Sequence, residues 1–524
     1  MPMAEGREVQ SEAALSDPGS DPGSVPGSDP QVTVVVAVYN TMPYLVECLD
    51  SLVEQSLHRA RPGSVEVIAV DDGSTDGSGG VLDEYAARHP ELLTVVHQEN
   101  SGGPARPNNV ALDRARGRWV YFVGADDRLG TEALERLVAH GDRTDADVVI
   151  GAQVGVGRFV PNALFGHDHE SIDPFGRHLR WTLANSKLFR RSHIEDLDLR
   201  YREDMRIGSD QPFTLRACLT GKVAVLGSYD CYYVIRREDD SNITYGVDHR
   251  RRVADTERLI EAIAELVPAE GRAHFLVRHF TWELNRLLPP TLADLPAEDR
   301  DELLTAVRRI ADRWYTPELD RKLGVAARVR LRLAFAGEVE ALAQLRDALD
   351  GEDEPPVLLT EGRALSALPV LRTPAAERAG LGDKDFALGA KALNRRVQTQ
   401  TVVHRWQCEP GGLRAEVELP LDPASTDLPQ VWVGSAGEHD TAPQGSLVRE
   451  GTAYVLEVAP PASGPSLQER MARGARVYVG GTIAVRDGQR RRWAAPLTAL
   501  SVADAPRGIL TRLKQRVTGR RDEG

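Results

Sequence analysis

Cysteine is scarce in this chain. Only Cys48, Cys218, Cys231 and Cys408 occur in 524 residues, and no two form a CxxC pair. That spacing excludes a disulfide framework or a zinc site and fits free thiols in a reducing cytoplasm. Long apolar runs are also missing. No stretch of about 18 apolar residues occurs, so no segment reads as a membrane span. The first residues lack the apolar core of a secretory signal, which makes a cytoplasmic protein the expectation. Basic charge is outweighed, with 64 Lys and Arg against 78 Asp and Glu and a net charge of −14. That balance argues against a general nucleic-acid binder.

What remains is ordinary soluble composition, 41% hydrophobic and 27% charged. The length exceeds one core and implies about two to four domains. Residues 1–30 repeat Ser, Asp, Pro and Gly and read as a disordered tail. From 31 to 150 strand and helix patterns alternate. Val32–Val38 is a β-branched run of the kind buried on both faces. Pro43–Leu57 carries Leu45, Cys48, Leu49 and Leu52 at helical spacing. Strands follow at Val65–Val70, Leu93–Val96, Arg118–Val123 and Val148–Ile150, with helices at Leu82–Arg88, Asn109–Ala115 and Glu132–His140. The alternation predicts a parallel sheet with right-handed crossovers.

Residues 151–250 are more irregular. Helical patterns take over at 251–350, over Glu257–Val267, Ala273–Leu288, Asp299–Trp314 and Leu331–Leu349. After an acidic, proline-ended linker, 357–503 shows short alternating runs such as Val397–Trp406 and Leu413–Leu419, which predict β-sandwich units. The last 21 residues, 504–524, form a basic tail.

Three strands end on polar or acidic residues, at VAVYN (36–40), VDDGSTD (70–76) and VGADD (123–127). In an open α/β sheet such residues reach the crevice at the carboxyl ends of strands, where ligands bind. Asp71 and Asp72 there can accept from a base N–H or from ribose hydroxyls. Ser74 and Asp76 are also good N-caps, so this turn alone serves a helix start equally well. The acidic pair Asp126 and Asp127 tips the balance to a ligand. Carboxylates suit Mg²⁺ or Mn²⁺, and one or two suffice when substrate phosphates complete the coordination.

Together VVAVYN, VIAVDDGSTD, ENSGGPARPNN, YFVGADD and the pair NSKLFRRS–GSDQPF, in this order, resemble family 2 inverting glycosyltransferases of GT-A fold. The likeness covers residues 31–245. The later helical and β-rich layout is similar to bacterial wall-teichoic-acid glycosyltransferases. The resemblance implies an α/β, GT-A (Rossmann-like) catalytic domain at 31–250. A helical domain would follow at 251–350, and an Ig-like β-sandwich region for acceptor binding or homo-oligomer formation at 357–503. It implies that Ala37, Val38 and Tyr39 line a nucleobase slot and that Asp71 and Asp72 contact uracil or ribose. Asp126 and Asp127 would hold the metal and nucleotide sugar. Arg106, Asn109 and Arg237 would lie at the nucleotide sugar, and Asp210 would be the catalytic base.

Three positions depart from the family pattern. Gly124 stands where the metal motif usually begins with Asp. Arg106 lies two residues before Asn108–Asn109, where the family commonly has an Arg–Asn pair. Ser209 precedes Asp210 where Glu is common. Arg236–Arg237, with Ser241 and Asn242, resembles a loop closing over the diphosphate, and a solvated charge run explains it equally well. Arg177–Trp181 (RHLRW) matches a processive-synthase pattern but precedes Asp210, so coincidence is the reading. His167 and His169 read as surface histidines.

The resulting expectation is a metal-dependent inverting hexosyl- or N-acetylhexosaminyltransferase using Mg²⁺ or Mn²⁺. It would act from a UDP-sugar onto a polymeric or lipid-linked glycan of the cell envelope, such as teichoic acid. Peripheral membrane contact is expected through the basic tail, with a solvated end as the alternative. A capsule or exopolysaccharide transferase and a carbohydrate-binding scaffold with a degenerate catalytic domain are the rival readings.

Overall fold

The structure is a computed structural model. It describes residues 29–176, 178–237, 249–289, 291–350, 354–409, 412–434, 445–451, 453–459, 461, 467–472, 476–484 and 489–497. The basic tail, Arg177, Ser241, Asn242 and all but the last two residues of the 1–30 segment lie outside that set. Two compact units make up the chain. The first reaches Pro174 and takes in Ala184–Glu203 and Ala217–Arg237; the second holds Phe175–Leu183, Asp204–Arg216 and the chain from Glu238 on.

The first unit is an α/β domain around one eight-stranded sheet. Its strands are β1 (Val32–Val38), β2 (Val65–Asp71), β3 (Leu93–His97), β4 (Trp119–Gly124), β5 (Arg128–Leu129), β6 (Val148–Val156), β7 (Leu188–Arg190) and β8 (Val223–Ile235). Their order is β3-β2-β1-β4-β7-β6-β8-β5. β1, β2, β3 and β4 are mutually parallel, as the alternation predicts. The rest of the sheet is mixed: β7 runs antiparallel to β4 and β6, and β5 antiparallel to β8. The antiparallel strands β5 and β7 lie outside the strands that the alternation predicts, and β8 runs parallel to β6.

Why these strands form is plain from their burial. All seven residues of β2 are buried, and β1 is buried at every position but Ala37. Both faces are covered by helices, which is what the near-continuous β-branched runs require. Within β2, Glu66 accepts from Thr33 Oγ1 at 2.5 Å and from the Arg116 backbone N–H at 2.7 Å and Nε at 2.9 Å. A buried carboxylate so satisfied costs little, whereas an unpaired one would cost several kcal/mol.

Helices α1 (Leu45–Val53), α2 (Ser56–Ala60), α3 (Ser78–Arg88), α4 (Ala105–Leu112), α5 (Ala133–Thr144), α6 (Arg191–Asp196) and α7 (Asp210–Thr220) connect these elements. α1 buries Leu45, Cys48, Leu49 and Leu52, the stripe its spacing predicts. α4 begins four residues before its predicted start at Asn109.

In the second unit the helices are α8 (His249–Leu266), α9 (Ala269–Thr281), α10 (Glu283–Arg286), α11 (Ala297–Trp314), α12 (Pro317–Lys322), α13 (Val325–Ala336) and α14 (Val339–Leu349). Two predicted helices are each broken in two. One breaks at Trp282, and the other at Gly337, whose φ of 77° ends α13 in the left-handed region. Beyond these helices come a hairpin of β9 (Val357–Thr360) and β10 (Arg363–Ser366) and helices α15 (Pro374–Arg378), α16 (Asp383–Phe386) and α17 (Ala390–Gln400). The remaining strands, from Val402–Glu409 to Arg490–Pro496, pair in one seven-stranded sheet. One expectation is corrected here: Val397–Trp406 starts as helix and turns to strand only at Val402.

Candidate active site

Strand register builds the crevice. Ala37 stands opposite both Val70 and Gly124, and Val38 opposite Asp71. The three polar turns after β1, β2 and β4 therefore share one edge of the first unit. Tyr39 is 44% exposed there, while Val38 is buried.

The turn after β2 is spent largely on its neighbours. Asp71 accepts from the Ser74 backbone N–H and from His97 Nδ1, each at 3.0 Å. Burial alone would raise its carboxyl, but these bonds outweigh it and hold the group below its ordinary value. Asp83 first, and Asp71 second, push His97 up in turn. Asp72 is 2% exposed, and both its oxygens are engaged. It accepts from Gln98 Nε2 at 2.6 Å and from the Ser101 hydroxyl at 2.9 Å, and the Ser101 backbone N–H lies 3.0 and 3.1 Å from its two oxygens. A nucleotide would have to share these oxygens. The Asp72 carboxylate ties down the 98–101 loop. Gly73 makes the approach possible, since a Cβ there would stand 2.8 Å from the Asn100 nitrogen.

Asn109 is likewise turned inward. Its amide donates to the Tyr201 carbonyl and to Glu203 Oε1, each at 3.0 Å, and its oxygen accepts from the Tyr201 backbone N–H at 2.9 Å. These bonds clamp the 201–203 segment. Arg106 is exposed on the first turn of α4.

The acidic pair after β4 is held from two sides. Tyr232 Oη donates to Asp127 Oδ2 at 2.7 Å and accepts from the Gly124 backbone N–H at 2.9 Å. The Ile235 backbone N–H donates to Asp127 Oδ1 at 2.7 Å. Burial first, and the neighbouring Asp126 second, push the Asp127 carboxyl up to about 7. Asp126 Oδ2 accepts from Arg237 Nε at 2.8 Å, and Arg237 Nη1 also reaches the Asn40 carbonyl at 3.3 Å. Arg237 is thus a nearly buried ion-pair partner, not a solvated charge. Tyr232 and Ile235 escape the sequence reading because β8 falls in the stretch called irregular. The alternation of Tyr229, Cys231 and Tyr233 was the available signal.

Gly124 has a positive use. A Cβ at this position would come 2.8 Å from Asp127 Oδ2, 3.1 Å from Asp126 Oδ1 and 3.3 Å from Tyr232 Oη. The missing side chain leaves the two carboxylates their room. Among the described residues no group of three or more His, Cys, Asp or Glu is gathered to hold a metal. Two hard, mutually repelling carboxylates nevertheless fit a divalent cation whose other ligands are phosphate oxygens.

Asp210 opens α7 and belongs to the second unit. Next to it in sequence, Gln211 Nε2 donates to Glu283 Oε1 at 3.4 Å, and its own Oε1 lies 3.0 Å from His279 Nε2. Arg278 pairs with Glu283 at 2.6 Å. Burial lowers His279 to about 4. Trp181 of the RHLRW stretch packs on Trp282 at 4.8 Å between ring centroids, which gives it a structural use. His167 and His169 flank Asp168, whose carboxylate accepts from the Gly227 and Ser228 backbone N–H groups at 3.0 Å. All four cysteines are free. No helix among the described residues is long and apolar enough to cross a membrane.

Parts of the chain are similar to known proteins. Residues 33–195 match the family model described as glycosyl transferase family 2, and 250–346 match the glycosyl transferase TarS linker domain. The chain is 31% identical over 307 residues to a poly(ribitol-phosphate) beta-glucosyltransferase of Bacillus spizizenii, covering 56% of this chain and 48% of that one. It is 32% identical over 258 residues to the poly(ribitol-phosphate) beta-N-acetylglucosaminyltransferase TarS of Staphylococcus aureus, covering 48% and 44% respectively. The chain thus spans about half the length of these relatives. The crystal structure of S. aureus TarS shares the fold, with a TM-score of 0.58 at 21% identity over 89% of this chain and 77% of that one. S. aureus TarS 1–349 in complex with UDP-GlcNAc superposes with a TM-score of 0.53 at 25% identity, covering 64% of this chain and 97% of that one. By these matches residues 33–195 resemble the family 2 glycosyltransferases and residues 250–346 the TarS linker domain, and the chain is related to poly(ribitol-phosphate) sugar transferases such as TarS.

Proposed function

We propose that the protein is a metal-dependent inverting glycosyltransferase of GT-A type, transferring a hexose or N-acetylhexosamine from a UDP-sugar to a hydroxyl of a polyol-phosphate polymer of the cell envelope. The reading rests above all on the convergence of Asp126, Asp127 and Arg237 beside the turns after β1 and β2. The relatives named for transfer onto poly(ribitol phosphate) support the acceptor class.

Tyr39 and the turn around Asp71 and Asp72 would receive the nucleoside. Asp126 and Asp127 would hold a divalent cation, which neutralises charge on the departing diphosphate. Arg237 suits bidentate contact with the same phosphates. Asp210 would take the proton from the acceptor hydroxyl as its oxygen attacks the anomeric carbon. The bond to the UDP oxygen breaks with its electron pair leaving on UDP, so configuration inverts in one displacement.

A panel of UDP-sugars, scored by UDP release with and without poly(ribitol phosphate), tests the assignment. Asp210→Asn should lower turnover with the accepted pair by about 10²–10⁴ while leaving UDP affinity in place. Wild-type turnover in that variant would remove Asp210 from the mechanism. No release with any donor, and no UDP binding, would favour the degenerate scaffold.

A further inference from the structure

Arg237 pairs with one of the two carboxylates proposed to hold a cation. Its Nε lies 2.8 Å from Asp126 Oδ2, and its Nη1 lies 3.3 Å from the Asn40 carbonyl at the end of β1. The side chains of Arg237 and Asp126 are only 12% and 19% exposed, so the pair is partly desolvated. Asp127, by contrast, is fixed by Tyr232 Oη and the Ile235 amide, both at 2.7 Å. Of the two carboxylates, Asp126 is the one held by a movable cationic side chain.

We propose that Arg237 is an exchangeable counter-ion, neutralising Asp126 while the donor is absent and moving to the donor's diphosphate when a divalent cation takes Asp126. The inference rests on the donor and metal assignment proposed above. Charge balance drives the exchange. A UDP-sugar brings two negative phosphates to a site that already holds two carboxylates. Arg237, together with Arg158 acting on Asp127, cannot offset all four, so a divalent cation becomes favourable there. The displaced guanidinium then meets a phosphate, whose oxygens match its fork better than a single carboxylate oxygen does. Leaving Asp126 also frees the Asn40 carbonyl, so the exchange couples the metal end of the site to the turn after β1.

The sign of one measurement separates this role from a plain ligand or a structural pair. Mn²⁺ is titrated calorimetrically into full-length wild type, Arg237→Gln and Arg237→Lys without nucleotide, and UDP is then titrated in the presence of Mn²⁺. Arg237→Gln removes the competitor, so nucleotide-free Mn²⁺ affinity should rise about five- to tenfold. UDP affinity should fall by about tenfold. Arg237→Lys keeps a charge on Asp126, so Mn²⁺ affinity should stay near wild type while UDP weakens. Equal or weaker Mn²⁺ binding in a folded Arg237→Gln protein overturns the exchange, even where wild type shows UDP-enhanced metal binding. If Arg237→Gln does not fold, Arg237→Lys decides: weakened UDP with unchanged Mn²⁺ supports the exchange, and unchanged UDP overturns it. Absence of Mn²⁺ binding to wild type under all conditions removes the metal assignment and the exchange together.

Discussion

Restoring the acid that the family usually carries at position 124 should harm this protein. A Cβ at Gly124 would stand 2.8 Å from Asp127 Oδ2, where ordinary contact begins near 3.4 Å. Asp127 must therefore retreat by roughly half an ångström. It is held by two bonds of 2.7 Å, from Tyr232 Oη and the Ile235 amide, with little slack in either. Hydrogen bonds to a charged group contribute about 1.5–3 kcal/mol each, and overpacking a tight site costs about 1–3 kcal/mol. Gly124→Ala should cost about 1–3 kcal/mol of folding stability by these figures. Gly124→Asp adds a third carboxylate beside two that already repel, so it should cost more and bind Mn²⁺ no better than wild type. Urea unfolding gives the first quantity and calorimetric titration of Mn²⁺ the second. A Gly124→Asp protein as stable as wild type and tighter for Mn²⁺ would refute the reasoning.

Two other outcomes follow from the same geometry and its surroundings. With Asp127 raised to about 7 by burial and by Asp126, cation binding must expel a proton below that pH. Mn²⁺ affinity should rise by up to about tenfold per pH unit from pH 5.5 and level off above about 7; a flat calorimetric profile would contradict it. The sign for folding is opposite. A carboxyl raised in the folded state contributes stability in acid, and that contribution is lost as pH climbs from the ordinary aspartate range towards 7. In the second unit, Glu283→Ala leaves Arg278 buried without its 2.6 Å partner. It should cost about 3–5 kcal/mol in chemical denaturation, and a loss under about 1 kcal/mol would show the pair to be dispensable.

The parts of the fold visible in sequence are those where one local pattern suffices. Val32–Val38 and Val65–Asp71 are buried on both faces, so their uninterrupted apolar runs could hardly be anything but inner strands. Once β4 lies parallel beside them, the residues that follow all three share an edge, which brings Asp71 and Asp126 to the same side of the sheet. What stayed hidden depends on partners distant in the chain. Nothing local to Asn109 says that Tyr201 will take its amide, 92 residues on. Nothing local to Gly124 says that Tyr232 will approach it from 108 residues away. The long β8 was obscured because Gly227, Ser228 and Asp230 interrupt its apolar run. The helix at Ala390–Gln400 was missed because its polar face dominates, with only Leu393 and Val397 buried.

The use of Asp72 carries one more consequence. Its carboxylate grips Gln98 and Ser101 from the same turn whose neighbour, Asp71, grips Ser74 and His97. The dipeptide is therefore a hinge pin shared by two loops. Replacing these two residues alone would also unseat the 98–103 loop. The smallest unit that can be exchanged intact between such proteins is the whole segment from the end of β2 to the start of α4.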